Sequence, residues 1–387
     1  MKIAVIANLR SNAPELPGAD GTIWDDLDSR ETVDAIITAL ERNGHEAIFL
    51  EGRIDEPYHL VHRLIEFEPD LCFNIAEGHF GPGREAHVPG ILEMLRIPYT
   101  GSGVTTLALA LDKAMTKRIL HYHELPTPEF QVFGARDEEI NDDLLEGDAL
   151  RFPLFVKPSR EGTGIGVSGS GIVFSVGELR ERVGEMLAKF RQPILAERYI
   201  SGRELTVGIL GNLPPTAPRR LNDRTAPTVL PRELQILPVL EIDLDRYTHH
   251  DEGPVYSNRI KTELVHEFYW TCPATIPTDL EDLLGRLTAA VFRVIGCHDV
   301  ARVDFRLDET GTPWILEVNP LPGLNPEYSD LVIEAAAAKI PYHDLIGGIV
   351  ATAMDRIDRE RTKQYAQEYP GGPTRLARRS TSGNPVW

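Results

Sequence analysis

The run Phe152-Pro-Leu-Phe-Val-Lys157-Pro-Ser-Arg-Glu-Gly162-Thr163-Gly164-Ile-Gly166-Val167 brings a lysine to the end of an apolar strand and follows it with small residues. Backbone amides in such a run can approach an anion closely, because glycine has no Cβ to hold a phosphate away. The chemistry this suits is a phosphate clamp. A dinucleotide fingerprint fits less well, since it needs a helix after its glycines, and here Ile172-Val173-Phe174 continues as strand. An ordinary glycine-rich hairpin is the competing reading, and Lys157 on the preceding strand counts against it.

A second run, Ile194-Leu-Ala-Glu197-Arg198-Tyr199-Ile200-Ser-Gly-Arg-Glu204-Leu-Thr-Val, leads a buried strand to a carboxylate, an apolar pair, a turn and another carboxylate. Such an arrangement can accept from an adenine amino group and a ribose hydroxyl while Tyr199 and Ile200 pack on the base. Two solvated glutamates at strand ends would give the same sequence, because most glutamates are exposed. The third signal is a pair of strands, Arg302-Val-Asp304-Phe-Arg-Leu and Trp314-Ile-Leu-Glu317-Val-Asn319-Pro-Leu-Pro-Gly323, joined by a loop that makes them a hairpin. Alternation puts Arg302 and Asp304 on one face of the first strand, and Glu317 and Asn319 on one face of the second. Oxygen ligands on adjacent strands suit magnesium, which takes one or two carboxylates and completes its octahedron with phosphate oxygens and water. A merely exposed polar face is hard to square with the apolar partners Phe305, Leu307, Ile315 and Leu316.

These residues need elements to hold them. Ile3 to Ala7 is a short apolar run, as in a parallel strand covered on both faces. A helix over 29–43 follows, capped by Ser29 and stopped by Gly44, then a strand (47–50), a helix (57–67) and a strand (71–75). That alternation predicts a doubly wound α/β domain over residues 1–103. A central domain, 104–203, opens with one helix over 104–121 and holds two antiparallel strands around the glycine cluster. The third domain, 204–358, has strands at 205–210, 300–307 and 314–318, helices at 279–295 and 331–339, and a Pro-rich stretch, 214–254, read as surface loops. Residues 359–387 form a tail whose last part, from Tyr369, lacks periodicity and reads as disordered.

At 387 residues and 42% hydrophobic content the chain can build two or three buried cores. A formal charge of -19 argues against nucleic-acid or anionic-membrane partners, so any phosphate site is a local exception. Cys72, Cys272 and Cys297 show no C-x-x-C pairing, which points to a reducing cytoplasm and to neither disulfides nor thiolate zinc. No apolar run approaches the ~20 residues of a membrane span.

In this order the segments resemble the D-alanine:D-alanine ligase branch of the ATP-grasp family, over roughly residues 1 to 355. Gly90-Ile-Leu-Glu-Met-Leu-Arg-Ile-Pro-Tyr-Thr-Gly-Ser-Gly103 and Asp112-Lys113-Ala-Met-Thr-Lys117 match the same branch. The resemblance implies an α/β, three-domain ATP-grasp fold with an N-terminal Rossmann-like domain. It also implies an ADP-forming ligase that joins a small-molecule carboxylate to an amine through an acyl phosphate. By it, Lys113, Lys157 and the loop around Gly162 and Gly164 would bind ATP phosphates. Glu197, Arg198, Tyr199 and Ile200 would line the adenine site, and Glu204 the ribose. Asp304, Glu317 and Asn319 would hold two Mg2+ ions, with Mn2+ as a substitute. Arg302 would face the reacting carboxylate, the Gly323 backbone would serve the oxyanion, and Lys261 would be a phosphate-loop lysine. The family also implies a homodimer.

Departures cluster in the substrate pocket. The glycine-rich-loop serine is Thr163, the tyrosine after the loop lysine is Thr262, and the serine for the second substrate's carboxylate is Tyr328. Arg84 replaces an acidic residue near the first subsite, and no early glutamate stands clearly after Ala7, leaving Asp25, Asp26 and Asp28 as candidates for the first amino group. The expectation is a retained ATP chemistry with a different acyl donor or acceptor; the alternative is a true D-alanine:D-alanine ligase. An NAD-dependent oxidoreductase is disfavoured by the glycine-free turn Ala7-Asn-Leu-Arg-Ser-Asn, and a silent nucleotide-binding protein by the presence of all three metal ligands.

Overall fold

The computed structural model describes residues 1–15, 21–141, 144–146, 149–213, 234–244, 246, 255–257, 259–260 and 269–368. The first unit is a parallel sheet of order β2-β1-β3, formed by β1 (Lys2–Ala7), β2 (Glu46–Glu51) and β3 (Leu71–Asn74). Alternation along β1 serves both faces. Ile3 and Val5 pack on one side with Val33, Ile36 and Leu40 of α1 (Arg30–Arg42), while Ala4 and Ile6 pack on the other with Leu60 and Leu64 of α2 (Leu60–Phe67) and Leu92 of α3 (His87–Met94). Ser29 caps α1 as expected, its hydroxyl accepting from the Thr32 amide at 3.2 Å. The second helix starts at Leu60 rather than residue 57, because His59 sits at a left-handed φ of 47° that cannot enter an α-helix.

The single helix expected over 104–121 is two, α4 (Val104–Leu111) and α5 (Lys113–Tyr122). Asp112 breaks the run: it takes extended dihedrals and its carboxylate accepts from the Met115 amide at 3.1 Å, capping α5. The break places Lys113 at the start of α5, where it contacts Glu317 at 2.9 Å.

A four-stranded antiparallel sheet of order β4-β9-β7-β8 comes next, from β4 (Phe130–Phe133), β7 (Leu154–Pro158), β8 (Ile172–Val173) and β9 (Ile194–Arg198), with a two-residue pair, β5 (Leu145–Glu146) and β6 (Ala149–Leu150), beside it. Its core closes under α6 (Val176–Phe190), whose Leu179, Val183 and Met186 are buried at helical spacing. Strands β7 and β8 flank the glycine cluster as antiparallel neighbours, in line with the sequence reading.

The largest sheet runs β13-β12-β10-β14-β15, with β11 also paired to β10. Its strands are β10 (Glu204–Gly211), β11 (Leu234–Ile236), β12 (Leu240–Ile242), β13 (Trp270–Thr271), β14 (Asp299–Leu307) and β15 (Pro313–Asn319). Strands β11 and β12 fall inside the stretch 214–254 that the sequence suggested was loop. They are three residues each, too short for their alternation to stand out. Behind this sheet α7 (Thr278–Ile295) buries Leu284, Leu287, Val291 and Phe292 against Val207, Ile209, Val303 and Phe305. Each fully buried side chain of that size contributes about 1.5–3 kcal/mol of transfer free energy.

Two last helices, α8 (Asp330–Ala337) and α9 (Tyr342–Glu368), return to the first unit, where Leu345, Ile346, Ile349 and Ala353 of α9 join the core of β1 and α1. The helix runs ten residues beyond the boundary expected at 358; the expected disorder from Tyr369 lies outside the described residues. A polar junction fixes the docking: buried Asp299 accepts from Arg356 at 2.9 Å, from the Gly101 amide at 2.8 Å and from the Asn212 amide group at 2.7 Å. Among the described residues no helix is long and apolar enough to cross a membrane.

Candidate active site

The loops ending these sheets meet at a cleft of about 300 Å³, lined from the first unit by Asp25 to Ser29, Glu77 and Glu85, from the phosphate loop by Glu161, Gly162 and Thr163, and from the large sheet by Arg302, Asp304, Glu317, Asn319 and Gly323. Antiparallel register explains the last group. Asp304 stands opposite Glu317 and Arg302 opposite Asn319, so four polar side chains from two strands share one face. The Arg302 guanidinium donates twice to Asp304, at 2.8 and 2.9 Å, and lies 3.2 Å from Asp330. Burial works to lower the Arg302 pKa, but the Asp304 and Asp330 carboxylates hold it well above its ordinary value, so it stays charged. The Asn319 amide group donates to Asp304 at 2.9 Å, and Lys113 contacts Glu317 at 2.9 Å.

This donor set fits magnesium. The carboxylates of Asp304 and Glu317 face each other on neighbouring strands, the Asn319 carbonyl is not committed to Asp304, and every donor is a hard oxygen. Among the described residues no group of three or more His, Cys, Asp and Glu side chains could enclose a metal by itself.

The glycine-rich loop is held in an unusual backbone path. Thr163 takes φ 49° and Gly164 φ 70°. At Gly166, φ 76°, an added Cβ would lie 2.6 Å from Pro158 and 2.9 Å from the Phe190 ring, so only glycine fits. Lys113 donates to the Glu161 carbonyl at 2.5 Å, and Arg160 donates to Asp112 at 2.8 Å, tying this loop to the start of α5.

Glu197, expected at the adenine, is engaged by two lysines. It is 2% exposed, and its two oxygens sit 2.6 Å from Lys157 and 2.7 Å from Lys117. Burial alone would raise its pKa; the two ammonium groups overturn that and keep it ionised. Lys117, pushed down to about 8 by burial against the pull of Glu197, also donates to the Thr127 hydroxyl at 2.7 Å. Lys157 is therefore aimed by a buried carboxylate. Glu204 lies 3.1 Å from Arg306, whose guanidinium also donates to the Ile200 carbonyl at 2.9 Å and covers the Tyr199 ring at 5.2 Å. Arg198 turns its guanidinium over Trp314 at 5.1 Å.

The substrate-side residues divide. Tyr328 lines the cleft and is 40% exposed. Arg84 does not line it: its guanidinium is buried against Asp26 at 2.5 Å, lies 3.8 Å from Glu161 and donates to the Arg160 carbonyl at 3.0 Å. The expectation that Arg84 contacts substrate gives way to a buried brace between the first unit and the phosphate loop. Lys261 and Thr262 lie outside the described residues. Residues the sequence reading missed are Lys117, Arg306, Glu77 and Glu85. Arg306 was open to discovery, since it continues the alternation of Arg302 and Asp304; Lys117 follows Lys113 by one helical turn.

Comparison with known proteins supplies the family. A family profile described as D-ala D-ala ligase C-terminus matches residues 119–223 and 231–351. A D-alanine–D-alanine ligase of Pelotomaculum thermopropionicum is 32% identical over 364 residues, covering 92% of this chain and 97% of the relative. One from Bordetella avium is 34% identical over 288 residues, covering 74% and 79%. The uncharacterised protein y4sG of Sinorhizobium fredii is 34% identical over 331 residues, covering 84% and 87%. The crystal structure of D-alanine–D-alanine ligase from Bacillus anthracis complexed with ATP superposes with a TM-score of 0.65 at 25% identity, covering 93% of this chain and 99% of that one. With the profile matching more than half of the sequence and full-length relatives above 30% identity, this chain belongs to the D-alanine–D-alanine ligase family.

Proposed function

We propose that this chain is an ATP-dependent, ADP-forming ligase that joins a small carboxylate to an amine through an acyl phosphate. One observation carries the reading: Asp304, Glu317, Asn319 and Arg302 share the face of two paired strands, in one cleft with the phosphate loop and Gly323. Bound Mg2+, or Mn2+ in its place, would offset the charge that builds during phosphoryl transfer. Asp304, Glu317 and Asn319 are the residues proposed to hold it.

The remaining work belongs to the chain. Lys113 and Lys157 hold the phosphates of ATP, and Glu197 keeps Lys157 in position. Arg302 orients the substrate carboxylate for attack on the γ-phosphorus, which forms the acyl phosphate and releases ADP. The amine then attacks the acyl carbon, Arg302 and the Gly323 amide donate to the tetrahedral oxyanion, and inorganic phosphate leaves. The glycine-rich turn closes over the reacting atoms and excludes water, which would otherwise hydrolyse the acyl phosphate.

The relatives are named for D-alanine. Tyr328 brings a bulky phenol to the cleft where the family resemblance implies a serine, and this supports an acid or amine other than D-alanine. The test is ADP release with Mg-ATP across D- and L-amino acids, β-amino acids and dipeptides, with mass detection of products. Release driven by D-alanine alone would restore the relatives' activity to this chain. In the same assay Glu317→Gln is expected to abolish turnover with the fold intact; unchanged turnover would sink the metal assignment.

A further inference from the structure

One wall of the cleft is strongly acidic. Asp25, Asp26, Asp28, Glu77, Glu85 and Glu161 all line it. Half of them are neutralised inside the protein: Asp25 by Arg10, and Asp26 and Glu161 by the Arg84 guanidinium. Asp28, Glu77 and Glu85 have no hydrogen-bond or ion-pair partner on their carboxylates among the described residues. Glu85 is only 7% exposed and lines the cleft.

Enclosing a carboxylate without a hydrogen-bond partner is costly; the fields of Arg84 and Lys113 reach Glu85 and that of Arg84 reaches Glu77, but Arg84 is already shared by Asp26 and Glu161, so the wall keeps more negative charge than these cations offset. Burial pushes the carboxyls of Glu85 and Asp28 up to about 7, and burial with repulsion from Glu85 and Asp26 raises Glu77 well above the usual range. The missing charge is positive. Asp28, Glu77 and Glu85 come from separate segments of the chain that meet at the cleft. An extended cation can reach carboxylates that one ion cannot, with a charge-assisted hydrogen bond at each end.

We propose that this wall binds a substrate carrying two positive groups on one short chain, a diamine or a diamino acid, whose ammonium groups donate to Glu85, Glu77 and Asp28. The inference rests on the ligase reading, in which one amino group reacts or is oriented; the second is what a D-alanine-sized substrate lacks.

The experiment is calorimetric titration of the full chain, preloaded with a non-hydrolysable ATP analogue and Mg2+. The probes are ornithine and 1,4-diaminobutane beside norvaline and butylamine, which keep the carbon chain and lose one ammonium. Dications are expected to bind about tenfold tighter than their one-charge counterparts. Glu85→Gln or Glu77→Gln should shrink that gap to about threefold or less, with binding of the ATP analogue unchanged as the control for folding. Equal affinities, no binding, or displacement of the diamine by Ca2+ at lower concentration would each overturn the proposal. Parallel ADP release separates the two readings. Turnover with D-alanine and no dication binding sinks the dication and keeps the ligase; dication binding with no turnover for any pair sinks the ligase and keeps the site.

Discussion

Replacing Glu197 with glutamine tests how this site is held together. In the folded chain the Glu197 carboxylate is the shared counter-charge of Lys157 and Lys117, at 2.6 and 2.7 Å, and the Lys117 side chain is 1% exposed. Glutamine keeps the shape and one acceptor but removes the negative charge that offsets two buried ammonium groups, while the Thr127 hydroxyl still accepts from Lys117. Breaking a buried pair by removing one partner costs about 3–5 kcal/mol, because the surviving charge stays desolvated. In a chain of this size each kcal/mol moves the melting temperature by about 2 °C, so Glu197→Gln is expected to melt about 6–10 °C lower without nucleotide. Adding Lys117→Met removes one of the two stranded cations, so the double variant should recover part of the loss, with a coupling of about 1–3 kcal/mol. The assay is nucleotide-free thermal denaturation at one scan rate, followed by titration with an ATP analogue. A variant that melts within about 2 °C of the parent yet loses ATP affinity would refute this account and return Glu197 to a direct contact with the base.

Three further outcomes follow from the same geometry. Gly208→Ala should cost about 1–3 kcal/mol in chemical denaturation, since its Cβ would fall 2.5 Å from Leu331, 2.8 Å from Leu237 and against the Glu334 carboxylate, on the strand paired with Arg302; an unchanged midpoint would mean the packing yields freely. Arg306→Ala, which removes one contact of Glu204 and the donor to the Ile200 carbonyl, should weaken binding of the ATP analogue about tenfold, and titration of the two proteins checks it. Burial raises the Glu85 carboxyl from 4.5 to about 7, so the empty folded chain binds that proton more tightly than the unfolded one. Its contribution is full below about pH 4.5 and lost as pH rises through 7. Glu85→Gln should therefore be more stable than the parent at pH 8, by about 2 kcal/mol, and the difference should shrink at pH 5; equal denaturation midpoints at pH 8 would count against an unpartnered Glu85.

Much of the fold is written locally. The apolar run of β1, the Ser29 cap and the alternation of Arg302, Asp304, Glu317 and Asn319 can each be read because a period of two or 3.6 fixes which face a side chain takes. Less was legible where a single polar residue overrode a periodic pattern. Asp112 breaks an apolar helical run by capping the next helix, and the apolar count around it gives no warning. The short strands β11 and β12 owe their form to pairing with β10, an interaction between residues far apart in sequence.

By itself the sequence determined the order of the elements, the strands that bear the polar face and the glycine turn beside Lys157, because these follow from local dihedral preferences and side-chain periodicity. Only the tertiary structure decided what each charge faces. Glu197 and Arg84 read in sequence as contacts to ligands, yet both are buried among partners from other segments: Lys117 and Lys157 for the one, Asp26 and Glu161 for the other. Glu85 gave no signal in sequence and lines the cleft with no hydrogen-bond or ion-pair partner on its carboxylate among the described residues. The physical reason is that an ion pair depends on distance and burial in three dimensions, and residues 84 and 26, or 117 and 197, become neighbours only once the sheets have packed.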